Sequence, residues 1–160
     1  MNTLTKLIEL HPDKPWDWTA LSMNPVIPFE FVEKNLHLPW KFGNIQLSQD
    51  IPLSFIEQHI DDIPWIWDYM IQNKNITTEF ILKHMDKPWD WGELSIQLPV
   101  EYIIRHMSEK PWSMSFLCTW NSTLTIDIIR KNPQVKWDFS CISNNKWISI
   151  SDIRNNLDLP

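Results

Sequence analysis

The chain has 160 residues, 43% of them hydrophobic and 21% charged, which is too apolar a composition for an intrinsically disordered protein. Its formal net charge of −6 disfavours binding to duplex nucleic acid, because that binding draws on clustered lysine and arginine. No apolar run is long enough to span a bilayer and no secretory signal is visible, so we expect an intracellular protein that is not secreted.

A motif that begins with a Pro-Trp pair recurs every 23–25 residues. Its first copy is Pro15-Trp16-Asp17-Trp18, and later copies start at Pro39, Pro64, Pro88, Pro111 and Lys136. A regular period in this range is typical of stacked repeat proteins. We therefore predict an all-α fold, an α-solenoid of about six and a half two-helix repeats of about 24 residues. The predicted parts of this single domain, 1–160, are a half-repeat at 1–14 and repeats at 15–38, 39–63, 64–87, 88–110, 111–135 and 136–160.

Residues 1–14 resemble the second half of a repeat. Leu4, Leu7 and Ile8 have helical spacing, and Thr3 is a suitable N-cap. This pattern predicts a short helix that ends near His11.

The first helix of each repeat is predicted to begin at the Pro-Trp pair and, in the first copy, to end near Ser22. Proline suits the first helical position because that amide needs no intrahelical partner. Asn24, Asn73 and Asn145 follow the apolar residues and are expected to end the helix in the left-handed conformation. The apolar position of Leu21 is expected to face the core. It is held in later repeats by Ile45, Met70, Leu94, Leu117 and Ile142.

The second helix of each repeat is predicted to start after an aliphatic residue followed by proline, threonine or serine, as in Ile27-Pro28 and Ile76-Thr77. Glu30 and Glu79 follow in the first turn, where the helix dipole favours negative charge. The last repeat departs from the pattern at Asp152-Ile153, as expected of a terminal repeat that no neighbour covers. The other repeats have an apolar pair that should be buried: Phe31-Val32, Phe55-Ile56, Phe80-Ile81, Tyr102-Ile103 and Ile128-Ile129.

One repeat position alternates between histidine and asparagine. We call it the cap column, and it comprises His11, Asn35, His59, His84, His106, Asn132 and Asn156. A metal site would need several imidazole nitrogens about 2.0–2.1 Å from one ion, whereas packed helices stand about 8–10 Å apart. The alternation instead predicts helix ends that hydrogen-bond to a neighbouring carbonyl, and we expect neither a metal nor a cofactor.

Two aromatic positions also recur once per repeat. The repeat tryptophans are Trp16, Trp40, Trp65, Trp89, Trp112 and Trp137. The second aromatic position holds Trp18, Phe42, Trp67, Trp91, Met114 and Phe139. Such columns can stack bases in a modular RNA reader, but the only basic stripe lies in the last turn of the second helices, where cations suit the helix dipole. That stripe is Lys34, Lys83, Arg105 and Lys131. We therefore predict that both aromatic positions belong to the core and that the chain does not bind nucleic acid.

The glycines and cysteines carry no recognisable chemistry. Gly43 and Gly92 each follow a repeat tryptophan by three residues, which predicts close helix approach and not a phosphate-binding loop. Cys118 and Cys141 form no Cys-x-x-Cys pair, so we expect small buried side chains and neither a zinc site nor a disulfide. No nucleophile has a recognisable base and orienting partner, so no catalytic residue is assigned.

Trp120 and Trp147 lie outside both aromatic positions of the repeat. Tryptophan is enriched at the centres of protein interfaces. We therefore predict that Trp120 and Trp147 are exposed and contact a partner.

The pattern Pro-Trp-Asp-Trp-x-x-Leu-Ser, then Asn, then Ile-Thr/Pro-x-Glu-Phe-Ile, covers nearly the whole chain, with its best copies at 15–38, 64–87 and 88–110. It resembles the short tryptophan-rich repeats in proteins of amoeba-infecting giant DNA viruses, notably the mimivirus group. The resemblance implies a viral α-solenoid, located in the host cytoplasm or the virion. This repeat family has no established activity that could be assigned to residues here.

Regular repeats without catalytic motifs favour a non-catalytic scaffold that binds an unidentified host or viral protein. A structural or assembly component of the virus particle is the alternative from a different class. A modular RNA-binding repeat protein and an enzyme are more distant hypotheses. No membrane partner is expected, and the sequence leaves the oligomeric state open.

Overall fold

The structure is a computed structural model and describes residues 2–154. These residues are all-helical and none of them forms a β-strand, which confirms the predicted all-α class. Asn156 of the cap column, and the part of repeat 136–160 that follows residue 154, lie outside the described residues. The chain divides into two compact units, Met1–Pro88 and Trp89–Pro160, and a solenoid running through both stays a prediction.

First and second helices alternate along both units. The first unit contains α1 (Thr3–Leu10), α2 (Trp18–Met23), α3 (Phe29–Lys34), α4 (Phe42–Ser48), α5 (Leu53–Gln58), α6 (Trp67–Met70) and α7 (Thr78–Lys83). The second contains α8 (Trp91–Gln97), α9 (Val100–Arg105), α10 (Met114–Trp120), α11 (Ile126–Lys131), α12 (Phe139–Ile142) and α13 (Ile150–Arg154). Isolated helices shorter than about 12–15 residues are marginal in water, so tertiary packing must stabilise all of these.

The first helix of each repeat begins three residues later than the sequence predicted. The Pro-Trp pair lies outside the helix, and the Asp17 carboxylate accepts a hydrogen bond from the Ala20 amide at 3.0 Å to cap α2. Ser113 and Asp138 cap α10 and α12 in the same way. Lys41 and Ile66 precede α4 and α6 without a side-chain cap. The predicted start at proline is therefore wrong, and where the residue just before the helix is Asp or Ser its side chain satisfies a free amide of the first turn. In the half-repeat, likewise, the side-chain cap of α1 is Asn2 and not Thr3.

The asparagines that end first helices do so without the predicted left-handed conformation. No residue between 2 and 154 has a positive φ, and Asn24 has a φ of −78°. Asn121, which the sequence analysis missed, shows the actual role of the side chain. Its Nδ2 donates to the carbonyls of Ser95 at 2.9 Å and Leu98 at 2.8 Å, while its Oδ1 accepts from the Thr123 amide at 2.8 Å. The side chain therefore ties its own turn to the preceding repeat.

Asn73 and Asn145 form the same kind of link. Asn73 Nδ2 donates to the Ile51 carbonyl at 2.9 Å, and Asn145 Nδ2 donates to the Cys118 carbonyl at 2.9 Å. Each Oδ1 also accepts a backbone amide two residues further on. All three asparagines are buried, so these bonds are shielded from competing water.

The second helices start where the sequence predicted. Proline occupies the N-cap of α3, α5 and α9, whereas the hydroxyls of Thr77 and Thr125 accept a backbone hydrogen bond at the starts of α7 and α11. The predicted apolar pairs are buried, except that Tyr102 is half-buried. The position of Leu21 is buried in every repeat, as expected.

In the first unit, α2 packs against α4 and α4 against α6. A buried polar side chain on one helix fixes the segment that precedes the next helix. Ser22 Oγ accepts the Lys41 amide at 2.9 Å, and Gln46 Oε1 accepts the Ile66 amide at 2.9 Å. A Cβ added to Gly43 would lie 2.6 Å from Ile66 Cδ1, which confirms that Gly43 marks a close approach.

In the second unit, α8 packs against α10 and α10 against α12. Ser95 Oγ accepts the Ser113 amide at 2.9 Å, which repeats the arrangement of Ser22 in the first unit. A Cβ on Gly92 would lie 3.1 Å from the Phe116 ring, so the predicted close approach is also confirmed here.

Surface ion pairs add to the register of the first unit. Each joins an acidic residue in repeat 39–63 to a lysine in repeat 64–87. Exposed pairs contribute little to stability because solvent screens them, so the buried asparagine links matter more. The pairs are Asp50 with Lys74, Glu57 with Lys83 at 2.8 Å, and Asp61 with Lys87 at 2.6 Å.

We predict that Asn121→Ala lowers the free energy of unfolding by about 2–4 kcal/mol, because it leaves two buried carbonyls and one amide without their partner. Asn24→Ala is the matched control, since Asn24 is half-buried and its side-chain oxygen accepts only the Val26 amide. It should cost about 1 kcal/mol or less. The measurement is urea unfolding of both variants. If Asn121→Ala and Asn24→Ala lower the free energy of unfolding equally, the role given to the buried asparagines is contradicted.

Candidate interaction surface

The repeat tryptophans and the cap column form one hydrogen-bonded unit. Trp40 Nε1 donates to the Asn35 carbonyl at 2.9 Å, and Trp65 Nε1 donates to the His59 carbonyl at 2.9 Å. The indole N–H thus shares a helix-end carbonyl with a backbone amide of the next turn, as Asn35 also accepts the Leu38 amide at 3.0 Å. The same bond is present at Trp16, Trp112 and Trp137.

Trp40, Trp65 and Trp112 pack against the second aromatic position of the preceding repeat. Trp40, Trp65 and Trp89 are buried, and the other repeat tryptophans are half-buried. The contacts are edge-to-face, the geometry that aromatic pairs favour. The rings therefore belong to the core, as predicted. Centroid distances are 5.1 Å for Trp18–Trp40, 5.8 Å for Phe42–Trp65 and 5.3 Å for Trp91–Trp112.

The cap column ends every second helix from α1 to α11, as predicted. Asn35 Nδ2 donates to the Phe31 carbonyl of its own helix at 2.9 Å, and Asn132 repeats this bond to Ile128. The histidines that end α5, α7 and α9 behave differently, because each ring packs on an aromatic ring four residues earlier. The centroid distances are 4.5 Å for Phe55–His59, 4.6 Å for Phe80–His84 and 4.4 Å for Tyr102–His106.

His106 and His59 also approach acidic side chains. His106 Nδ1 lies 3.0 Å from Glu109 Oε2, and His59 Nδ1 lies 3.6 Å from Asp62 Oδ2. Each contact joins a helix end to the turn that follows it. Among residues 2–154, no group of three or more histidine, cysteine, aspartate or glutamate side chains is arranged to hold a metal ion.

Trp120 and Trp147 are the exposed tryptophans of the chain. Their exposed fractions are 50% and 44%, whereas the other tryptophans are buried or half-buried. Their predicted exposure is therefore confirmed, and their role in partner contact stays a prediction.

Both residues lie at the turns that follow first helices in the second unit. Trp120 is the last residue of α10, directly before the buried Asn121. The Trp147 amide donates to Asn145 Oδ1 at 2.9 Å, and Asn145 Nδ2 lies 3.4 Å from the Asn121 carbonyl. One buried hydrogen-bond network therefore supports the backbone beside both rings.

Lys146 and Phe116 belong to the same unit and were missed from the sequence. Lys146 Nζ lies 4.3 Å from the centroid of the Trp147 ring, within the range of a cation–π contact. Phe116 is an exposed aromatic residue on α10. Lys146 could have been found, because it directly precedes an exposed tryptophan. Phe116 could not, because how much of its ring is exposed depends on how α10 packs against its neighbouring helices.

The two cysteines differ in burial. Cys118 is buried as predicted, and burial raises the pKa of its thiol, an effect that the backbone hydrogen bond from Asp138 opposes. Cys141 is only half-buried, so that prediction is wrong. Its Sγ donates to the Asp138 carboxylate at 3.1 Å, which lets a polarisable thiol lie beside the cap of α12. Both are free thiols.

No family model, curated protein or solved structure that was compared with this sequence matches it. Within residues 2–154, no helix has the length and apolar character needed to cross a bilayer.

His84 carries the one shifted histidine pKa among the described residues. Burial, followed by the nearby Lys83 ammonium, lowers the pKa of His84 below its ordinary value of 6.5. The carboxylates of Asp86 and Glu57 oppose this shift, and Lys87 adds to it. A base with a lowered pKa in the folded state stabilises that state above the unfolded pKa, and this stabilisation is lost as the pH falls through the folded value.

We predict that the free energy of unfolding decreases as the pH falls below about 6.5, and that His84→Asn removes part of this dependence. His11→Asn is the control, since His11 is an exposed member of the same column. An NMR titration of the His84 ring should give a midpoint below 6.5. A midpoint at or above that value would contradict the burial argument.

Proposed function

We propose that the chain is a non-catalytic scaffold that binds a partner protein, and that Trp120 and Trp147 contact this partner. The observation that carries the proposal is their exposure in a chain whose remaining tryptophans are buried or half-buried. Burying a large aromatic ring at an interface contributes strongly to affinity, and tryptophan is the commonest such residue.

Their surroundings also suit binding. The backbone next to each ring is held by the buried side chains of Asn121 and Asn145, which lowers the ordering cost of association. Lys146, which covers the Trp147 ring, offers a cation to an acidic group of the partner. A partner surface with an apolar pocket and nearby carboxylates would complement these groups.

The proposed source, a giant DNA virus that infects amoebae, rests on the resemblance of the repeat motif. It allows a partner from either the host or the virus. An assembly role in the virus particle remains the alternative, since it rests on the same resemblance.

The test is affinity capture from nuclease-treated extracts of amoebae infected with a giant DNA virus. We expect wild-type protein to retain a specific protein, and Trp120→Ala/Trp147→Ala to reduce that retention at least about tenfold, as hot-spot residues do. Each single substitution should cost less than about 1 kcal/mol of stability, because both side chains are exposed.

The matched control is Met23→Ala/Val26→Ala, which removes two exposed apolar side chains from the first unit. This variant should retain the partner fully. Equal retention by wild type and the tryptophan variant would refute the contact surface. In a parallel capture from untreated extract, retained RNA would favour the RNA reader. Capture of capsid protein alone would favour the assembly role.

A further inference from the structure

A surface groove of about 370 Å³ lies in the second unit, and neither Trp120 nor Trp147 lines it. Its volume falls in the range of about 300–1,000 Å³ that ligand sites occupy. Its floor is apolar, and its rim includes an exposed amide and an exposed ammonium group. The lining residues are Ile104, Met107, Met114, Gln134, Val135 and Lys136.

Met114 occupies a position that is aromatic in every other repeat. Where the neighbouring repeat belongs to the same unit, that aromatic ring packs edge-to-face on the next repeat tryptophan, as in Phe42–Trp65 at 5.8 Å and Trp91–Trp112 at 5.3 Å. The groove is therefore lined by a methionine at the position where every other repeat has an aromatic ring.

Trp137 is the repeat tryptophan that follows Met114. Its indole N–H donates to the Asn132 carbonyl at 3.0 Å, as in other repeats, but no aromatic ring among the described residues contacts it. Trp40, Trp65 and Trp112 each have such a ring partner. Trp137 does not line the groove, but Met114, which replaces its usual ring partner, does.

Lys136 is the second departure from the repeat at the same groove. Its position holds proline in all the other repeats, at Pro15, Pro39, Pro64, Pro88 and Pro111. Lys136 is exposed and makes no ion pair with any residue between 2 and 154. The groove therefore combines a methionine at the usual aromatic position with an adjacent lysine that no acidic side chain neutralises.

We propose that this groove binds a segment of a partner protein in which an aromatic side chain adjoins a carboxylate. The ring enters beside Met107 and Met114, whose flexible thioether side chains adapt to aromatic surfaces. The carboxylate lies at the rim and pairs with Lys136. Since the groove is open to solvent on the side of Gln134 and Lys136, it suits a side chain projecting from a peptide. This inference deepens the proposed function and rests on it, because it names the chemistry of a partner segment.

The probe is the blocked peptide acetyl-Gly-Asp-Trp-Gly-amide, titrated into the full chain labelled with ¹³C at the methionine methyl groups. We expect saturable shifts of the Met107 and Met114 signals at millimolar peptide, and no shift of the buried Met70. Replacing the peptide tryptophan by alanine should abolish the shifts. Replacing its aspartate by asparagine should weaken binding about two- to fivefold, as for an exposed ion pair.

Met114→Trp restores the repeat residue and should fill the groove, which lowers the affinity of the peptide at least about tenfold. Met114→Leu keeps a side chain of similar volume and should bind normally. Lys136→Gln should remove the preference for aspartate over asparagine in the peptide while the fold is kept. Lys136→Gln tests the groove even if Met114→Trp fails to fold, because loss of the preference for aspartate supports the pairing with Lys136.

Unchanged binding in Met114→Trp, or no charge preference in wild type, would overturn the proposal. Shifts of Met107 and Met114 on raising the protein concentration alone would assign the groove to a second copy and would also overturn it. Trp120→Ala/Trp147→Ala should bind the peptide normally. A wild-type chain that captures its partner but does not bind the peptide rejects the groove. A chain that binds the peptide but whose Trp120→Ala/Trp147→Ala variant captures the partner as well as wild type rejects the Trp120–Trp147 surface.

Discussion

The hydrogen bond from a buried indole to the carbonyl at a helix end is the interaction on which each repeat depends. A buried indole needs an acceptor for its N–H, and a carbonyl has two lone pairs to share. The Asn35 carbonyl accepts Trp40 Nε1 at 2.9 Å and the Leu38 amide at 3.0 Å, and the His59 carbonyl likewise accepts Trp65 Nε1. Because the acceptor is a backbone carbonyl, the side chain of the cap column can alternate between histidine and asparagine without loss of this bond.

Buried amides and hydroxyls set the register between successive repeats. Ser22 and Ser95 each accept the amide that precedes the next first helix, and Asn121 reaches two carbonyls of the preceding repeat. Apolar burial alone would tolerate sliding, whereas a buried polar group is satisfied at only one register. These bonds also tolerate turns of different length. Asn73 follows Pro64 by nine residues and Asn121 follows Pro111 by ten, yet both make the same link.

The elements that could be predicted from the sequence are those fixed by local chemistry. The second helices begin at proline or threonine as expected, and the position of Leu21 is buried throughout. The first helices could not be placed correctly, because proline fits both the first turn of a helix and the segment before it. The role of Asn121 depends on carbonyls of another repeat and therefore required the structure. Likewise, Met114 and Lys136 are visible in the sequence as departures from the repeat, but only the structure shows that they line one groove.

The most direct test of this account is hydrogen exchange of the indole N–H groups, measured by NMR on protein labelled with ¹⁵N-tryptophan. If the repeats depend on the indole-to-carbonyl bond, the Nε1 protons of Trp40 and Trp65 should exchange at least about 100-fold more slowly than those of Trp120 and Trp147. The exposed indoles provide the reference within the same molecule. Exchange of Trp40 and Trp65 at the rate of Trp120 would show that these bonds open freely and would contradict the account.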